Sequence, residues 1–200
     1  MNLQSSIFLY VIIIFSAILH EYAHAWAANQ QGDQTAKYAG RLTLNPLAHI
    51  DWWGTVLMPL LLLYFFGMFF GYAKPVPINP YNFRHQRQGM IWVSVAGVAA
   101  NFFLAVAFGL FIRFMPGFYL NELFGAIAIV NIWLGLFNLL PFPPLDGSKL
   151  LMALVDYRGS KLNKFIELAS TPAGLIIAIF VAMTFLPYIS RFIFGLIVGS

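Results

Sequence analysis

The chain has 200 residues, 60% of them hydrophobic and 9% charged, against roughly 45–50% and about 25% in soluble domains. That excludes a single water-soluble globule and implies a chain solvated largely by lipid. Lys and Arg number 11 against 7 Asp and Glu, for a net charge of +4. The cations stand at the ends of apolar runs, which reads as membrane topology and headgroup contact rather than a nucleic-acid surface.

The first apolar run is Ile7 to Ala28, long enough to span a bilayer. It lacks a basic leader and a small-residue cleavage site, so it is not expected to be a cleaved signal peptide. Polar residues follow from Asn29 to Gly40, and Asp33 and Asp51 are expected to face water. The alternation of Arg41, Leu42, Thr43 and Leu44 predicts a short strand, stopped by Pro46. A second apolar run, Trp52 to Tyr72, is interrupted by Pro59, Gly67 and Gly71. It either crosses the membrane or dips in and returns. The loop from Lys74 to Pro80 holds Pro75, Pro77 and Pro80, which forbid helix.

Two further spans are predicted, Met90 to Ile112, closed by Arg113, and Asn121 to Leu140. Pro141, Pro143 and Pro144 break the latter, and Asp146 opens a helical stretch to Val155. Tyr157 to Leu168 carries enough charge to lie at the surface, and Thr171 to Leu186 is another apolar run. Ile189 to Val198 is too short for its length to decide whether it spans. The expected fold is an all-α polytopic membrane bundle of about four to six transmembrane helices, with a re-entrant segment as one path for 52–72 and a short β-like loop. One membrane-embedded domain is expected over 1–200, with its core at about 7–155 and accessory helices at 156–200.

With no cysteine in the chain, disulfides and thiolate ligands are excluded, and a metal must be held by His, Asp or Glu. His20-Glu21-Tyr22-Ala23-His24 is an HExxH. Residues four apart share a helix face, so both imidazoles reach one ion, and Glu21 sits where it can take a proton from a metal-bound water. Ionisable side chains in a spanning helix cost about 2.5–3.5 kcal/mol each, so three within one turn imply a task. A catalytic zinc takes three protein ligands and an open position. Asp146 is the candidate third ligand; it could equally cap the helix it opens. Glu122, Asp156 and Glu167 stand at span ends or among surface charges, and His49 and His85 are expected to face water.

The HExxH in the first span, taken with Asn138-Leu139-Leu140-Pro141-Phe142-Pro143-Pro144-Leu145-Asp146-Gly147, resembles the site-2 protease family, whose second motif is NxxPxPPLDG. Gly97 to Asn101 resembles the family's GxxxN element. The likeness covers about Ile7 to Val155 and is to the short branch, without a PDZ insertion or nucleotide-sensing domain. It implies an intramembrane endopeptidase with one Zn2+ on His20, His24 and Asp146, and Glu21 as catalytic base. It also implies substrate or oxyanion contacts from Asn138 and Asn101, although an asparagine in a span can instead bridge neighbouring helices. Asn45 to His49 resembles a recurrent element of the same branch. The partners implied are membrane-protein or peptide substrates and the bilayer, and the compact form points to a prokaryotic plasma membrane. The alternatives are a zinc transporter or sensor, which would spread ligands along a path and has no use for Glu21, and a non-catalytic scaffold.

A metal site shared by the first span and Asp146 constrains topology. The two helices must reach similar depth from the same side, which fails if 52–72 crosses and holds if it returns. On the returning path Lys37, Arg41, Lys74, Arg84, Arg87, Lys149, Arg158, Lys161 and Lys164 fall on one side, against Arg113 among the core loops of the other. The rich side is then expected to be cytosolic and the N-terminus outside.

Overall fold

A computed structural model describes residues 3–66, 73–155 and 161–199. Among them every regular element is a helix. Four are long and apolar enough to cross a membrane: α1 (Leu3–Gln30), α5 (Gln86–Phe114), α6 (Asn121–Asn138) and α9 (Pro172–Val198). The shorter helices are α2 (Thr35–Tyr38), α3 (Pro46–His49), α4 (Met58–Phe66), α7 (Asp146–Leu154) and α8 (Lys161–Ala169). The protein is an all-α polytopic membrane protein.

α5 is the hub, packing against α1, α6, α7 and α9. Its buried residues, Gly89, Val93, Ser94, Gly97, Val98, Asn101, Ala105 and Gly109, recur at helical spacing. Most are small, which lets neighbouring backbones approach closely where lipid offers no hydrophobic drive to associate. Large apolar side chains such as Phe15, Phe103 and Phe180 are instead exposed, as a surface facing acyl chains requires.

End contacts fix the directions. The Arg84 N–H, just before α5, donates to the Gln31 carbonyl just after α1 at 2.9 Å, so α1 and α5 are antiparallel. Arg87 at the start of α5 donates to the carbonyls of Ala153 and Leu154 at the end of α7. Arg113 at the end of α5 reaches the carbonyls of Leu196 and Ile197 at the end of α9, both at 3.5 Å. Thus α1 and the α6–α7 unit run one way, and α5 and α9 the other.

The segment from Trp52 opens with a π-helical turn, Trp52–Leu57, and continues as α4. Its described part is shorter than the roughly 20 residues a span needs. The Lys74 N–H donates to the His49 carbonyl at 2.9 Å, so the chain leaves and re-enters one place. The Tyr10 hydroxyl, near the start of α1, bonds the Thr55 carbonyl. The two ends of the segment thus meet at one place, as a re-entrant path requires; residues 67–72, with the helix breakers Gly67 and Gly71, lie outside the described residues.

Four expectations are corrected. Arg41 to Leu44 forms no strand: Arg41 is buried with its guanidinium on the Ala48 carbonyl, and the Thr43 carbonyl accepts from His49 Nε2 at 2.8 Å. His49 is accordingly buried, 1% exposed, instead of facing water. Asp33 is buried too, accepting from the backbone of Thr35 and Asn79 and from Asn82 Nδ2, which pins the proline loop to the end of α1. The apolar runs at 171–186 and 189–198 are one helix, α9, with Pro187 inside it. Proline removes one helical hydrogen bond and crowds the carbonyl four residues earlier, which membrane helices accommodate by local adjustment and by packing on their neighbours.

Candidate active site

His20 and His24 lie one turn apart on α1 and project to the same side. Asp146 is the first residue of α7, and the capping position before it is Leu145, whose side chain makes no cap. The carboxylate is thus not placed as the N-cap of its own helix. Its Oδ2 lies 3.1 Å from His20 Nε2 and 2.8 Å from His24 Nε2, and the two Nε2 atoms are 2.9 Å apart. All three residues are buried. Asp146 Oδ1 pairs with Lys149 Nζ at 2.8 Å, so the other carboxylate oxygen is held toward the imidazoles.

Local sequence explains the aim of Asp146. The prolines end α6 at Asn138, and the chain turns back tightly enough that a Cβ at Gly147 would lie 2.2 Å from the Leu139 carbonyl oxygen. Only glycine lets α7 start against the end of α6. Across the site, a Cβ at Gly97 would lie 2.4 Å from His24 Nε2 and 2.7 Å from His20 Nε2. Glycine at that point of α5 keeps the space around the imidazoles open.

The outer nitrogens are committed. His24 Nδ1 lies 2.7 Å from the Val93 carbonyl, which can only accept, so Nδ1 carries the proton. His20 Nδ1 lies 2.6 Å from Asn101 Oδ1. The Asn101 amide nitrogen donates to Asn131 Oδ1, and Asn131 Nδ2 donates to Ser16 Oγ, each at 2.9 Å. With that polarity His20 too is protonated on Nδ1. With both imidazoles neutral, as metal ligation requires, both Nε2 atoms are lone pairs facing each other and a carboxylate oxygen, three acceptors with no proton among them. Such a cluster calls for a cation, and its separations are a few tenths of an ångström below the ~3.3 Å edge of a tetrahedral zinc site with 2.0–2.1 Å bonds. Among the described residues it is the one group of three His, Asp or Glu side chains that could hold a metal ion. The residues fit zinc.

Glu21 is turned to the proline loop, where its Oε2 accepts from the Val76 N–H at 2.8 Å. Asn101 takes the bridging alternative: it is fully buried with both amide ends engaged, contacting an imidazole of α1 and Asn131 of α6. Asn138 donates to the Leu134 carbonyl of its own helix at 3.0 Å and is not brought to the metal donors. Glu122, Glu167 and His85 are exposed, and Asp156 lies outside the described residues. Sequence reasoning missed Asn131, Ser16 and Val76. A buried asparagine in a span was a signal for the first, and the four-residue spacing from His20 a signal for the second. Nothing local marked the backbone of Val76.

A helical membrane protein carrying an HExxH and a distant aspartate on one cation-ready cluster has the architecture of a membrane metalloprotease. The model of Peptidase family M50 matches residues 117–181, which include Asp146 but not the HExxH. The chain is 38% identical over 159 residues to the protein named "Putative zinc metalloprotease YwhC" of Bacillus subtilis, covering 74% of this chain and 69% of that one. It is 31% identical over 190 residues to "Putative zinc metalloprotease Rip2" of Mycolicibacterium smegmatis, covering 92% of this chain and 69% of that one. No solved structure gives a significant match. The chain belongs to peptidase family M50, the site-2 protease family, and is a zinc metalloprotease of that family.

Proposed function

We propose that the protein is an intramembrane endopeptidase that cleaves membrane-spanning substrates in a prokaryotic plasma membrane. The observation that carries this reading is the meeting of His20 Nε2, His24 Nε2 and Asp146 Oδ2 inside a bundle of lipid-facing helices. These three side chains would hold the ion. A zinc ion bound there activates water and polarises the substrate carbonyl.

The chain's own residues do the rest. Glu21 is the general base: it takes a proton from the attacking water and returns it to the leaving amine. The Val76 N–H holds its carboxylate in one orientation. The Nδ1 contacts to Asn101 and Val93 fix both imidazole tautomers. A cavity of about 220 Å³ lies beside His24 and Asp146, walled by the proline loop and α5. A substrate helix holds its carbonyls in its own hydrogen bonds, so it unwinds locally before attack. A transporter or scaffold would have no use for a carboxylate placed at this position.

The test is Glu21→Gln, compared with wild type in proteoliposomes containing a membrane-spanning reporter. The protease reading expects zinc to be retained and cleavage to be lost. Undiminished cleavage by the variant would sink it.

A further inference from the structure

The catalytic reading calls for a hydrogen-bond donor to the carbonyl oxygen of the cleaved bond, and the three metal donors supply none. Of the two asparagines expected there, Asn101 is consumed by His20 and Asn131, and Asn138 bonds Leu134. In the cavity beside the metal donors, the polar side chains are His24, Asp146, Lys149 and Ser94. The first three engage one another or the backbone. Ser94 is different: it is 2% exposed and its Oγ has no hydrogen-bond partner.

An unpartnered hydroxyl in a helix is unusual, because serine and threonine can fold back onto the carbonyl three or four residues earlier. Ser148, Ser170, Thr184 and Ser190 all do so here, at 2.7–2.8 Å. Ser94 does not, although burying a hydroxyl unbonded costs about 1–3 kcal/mol. It stands three residues before Gly97 and seven before Asn101, so it shares the face of α5 that abuts the imidazoles.

We propose that Ser94 is a catalytic residue whose hydroxyl donates a hydrogen bond to the carbonyl oxygen of the bond being cleaved, as negative charge develops on it. This rests on the proteolytic reading above. No covalent step is involved: the hydroxyl keeps its proton, and Glu21 carries the proton traffic. Donors aimed at a developing oxyanion act most strongly in water-excluded sites, where removing one costs about 10²–10³ in kcat.

Ser94→Ala isolates the hydroxyl, since alanine keeps the small volume and the helix. The probe is an internally quenched peptide of leucine, alanine and glycine, about 20 residues long to match a span, in detergent micelles. Three properties are read beside turnover: zinc stoichiometry, thermal midpoint, and affinity for a phosphinic analogue of the peptide, whose charged oxygen mimics the oxyanion. The expected result is a kcat about 100-fold lower with KM within about twofold and phosphinate binding weakened at least about tenfold. Zinc and midpoint should stay unchanged. Unaltered kcat and phosphinate affinity would overturn the proposal, as would a change in KM alone or loss of zinc or stability in step with activity. If wild type proves unable to cleave any peptide, the proteolytic reading fails separately, and phosphinate affinity still decides on Ser94.

Discussion

The Glu21 carboxylate accepts its hydrogen bond from the backbone N–H of Val76, 55 residues along the chain. Val76 lies between Pro75 and Pro77, which have no N–H to offer. The loop is pinned on either side, by Lys74 to the His49 carbonyl and by Asn79 to Asp33. A strap with one usable donor at this point therefore sets the orientation of the Glu21 carboxylate. Val76→Pro deletes that donor and nothing else polar. Hydrogen bonds to charged groups contribute about 1.5–3 kcal/mol, so kcat should fall at least about tenfold while zinc stays bound. Steady-state kinetics with metal analysis check this, and unchanged kcat would remove Val76 from the mechanism.

Asn131 reaches the His20 imidazole through Asn101. Partners that orient metal-bound imidazoles typically matter by 10–100-fold in metal affinity or activity. Asn101→Leu is expected to weaken zinc binding within that range, and Asn131→Leu by less. Competition with a zinc chelator measures both. Equal zinc affinity in all three proteins would show that the chain merely joins helices.

Gly97→Ala places a methyl group 2.4 Å from His24 Nε2, whereas the nearest atom at Gly125 is 3.7 Å away. The first substitution should abolish zinc binding. The second should leave zinc unaffected and raise the thermal midpoint slightly, since alanine is favoured over glycine in helices by about 0.8–1.0 kcal/mol. A fully zinc-loaded Gly97→Ala protein would contradict the packing described above.

Acid sensitivity of the loop follows from Asp33. Burial alone would raise its pKa, but hydrogen bonds from Thr35, Asn79 and Asn82 prevail and hold it below the ordinary value of 3.8. A depressed folded pKa contributes stability that is complete above the unfolded value and lost as pH falls through the folded one. Wild type should therefore lose stability below about pH 4, and Asp33→Asn should start less stable at neutral pH and lose less on acidification. Thermal midpoints in detergent at pH 7 and pH 3 distinguish the two, and parallel curves would count against a charged Asp33.

Topology can be read by labelling, because the chain has no native cysteine. Single cysteines at Gln34 and Gln86 should react with an impermeant thiol reagent from one side, and a cysteine at Tyr119 from the other. Opposite-sided labelling of the first two would mean that the segment between α3 and the proline loop crosses the membrane.

The sequence by itself determined the solvent and three of the four long helices, and it marked the candidate metal donors. Lipid solvation demands long apolar runs, and an ionisable side chain inside one stands out against them, as His20, Glu21 and His24 do. Asp146 was legible because prolines and Gly147 mark where a helix must break and restart. The partners of Asn101, Asn131 and Val76, and the lack of one at Ser94, were decided by tertiary structure alone. A polar side chain in a span declares only that it needs a partner. Whether that partner is an imidazole, a second amide, a distant backbone N–H or a substrate depends on which helix faces it, and so on packing between segments far apart in the chain. The same reason buried Asp33 and His49, whose loop composition pointed to water, and Arg41, which alternation placed in a strand: their partners come from beyond the local sequence or from a backbone turn that no alternation pattern encodes.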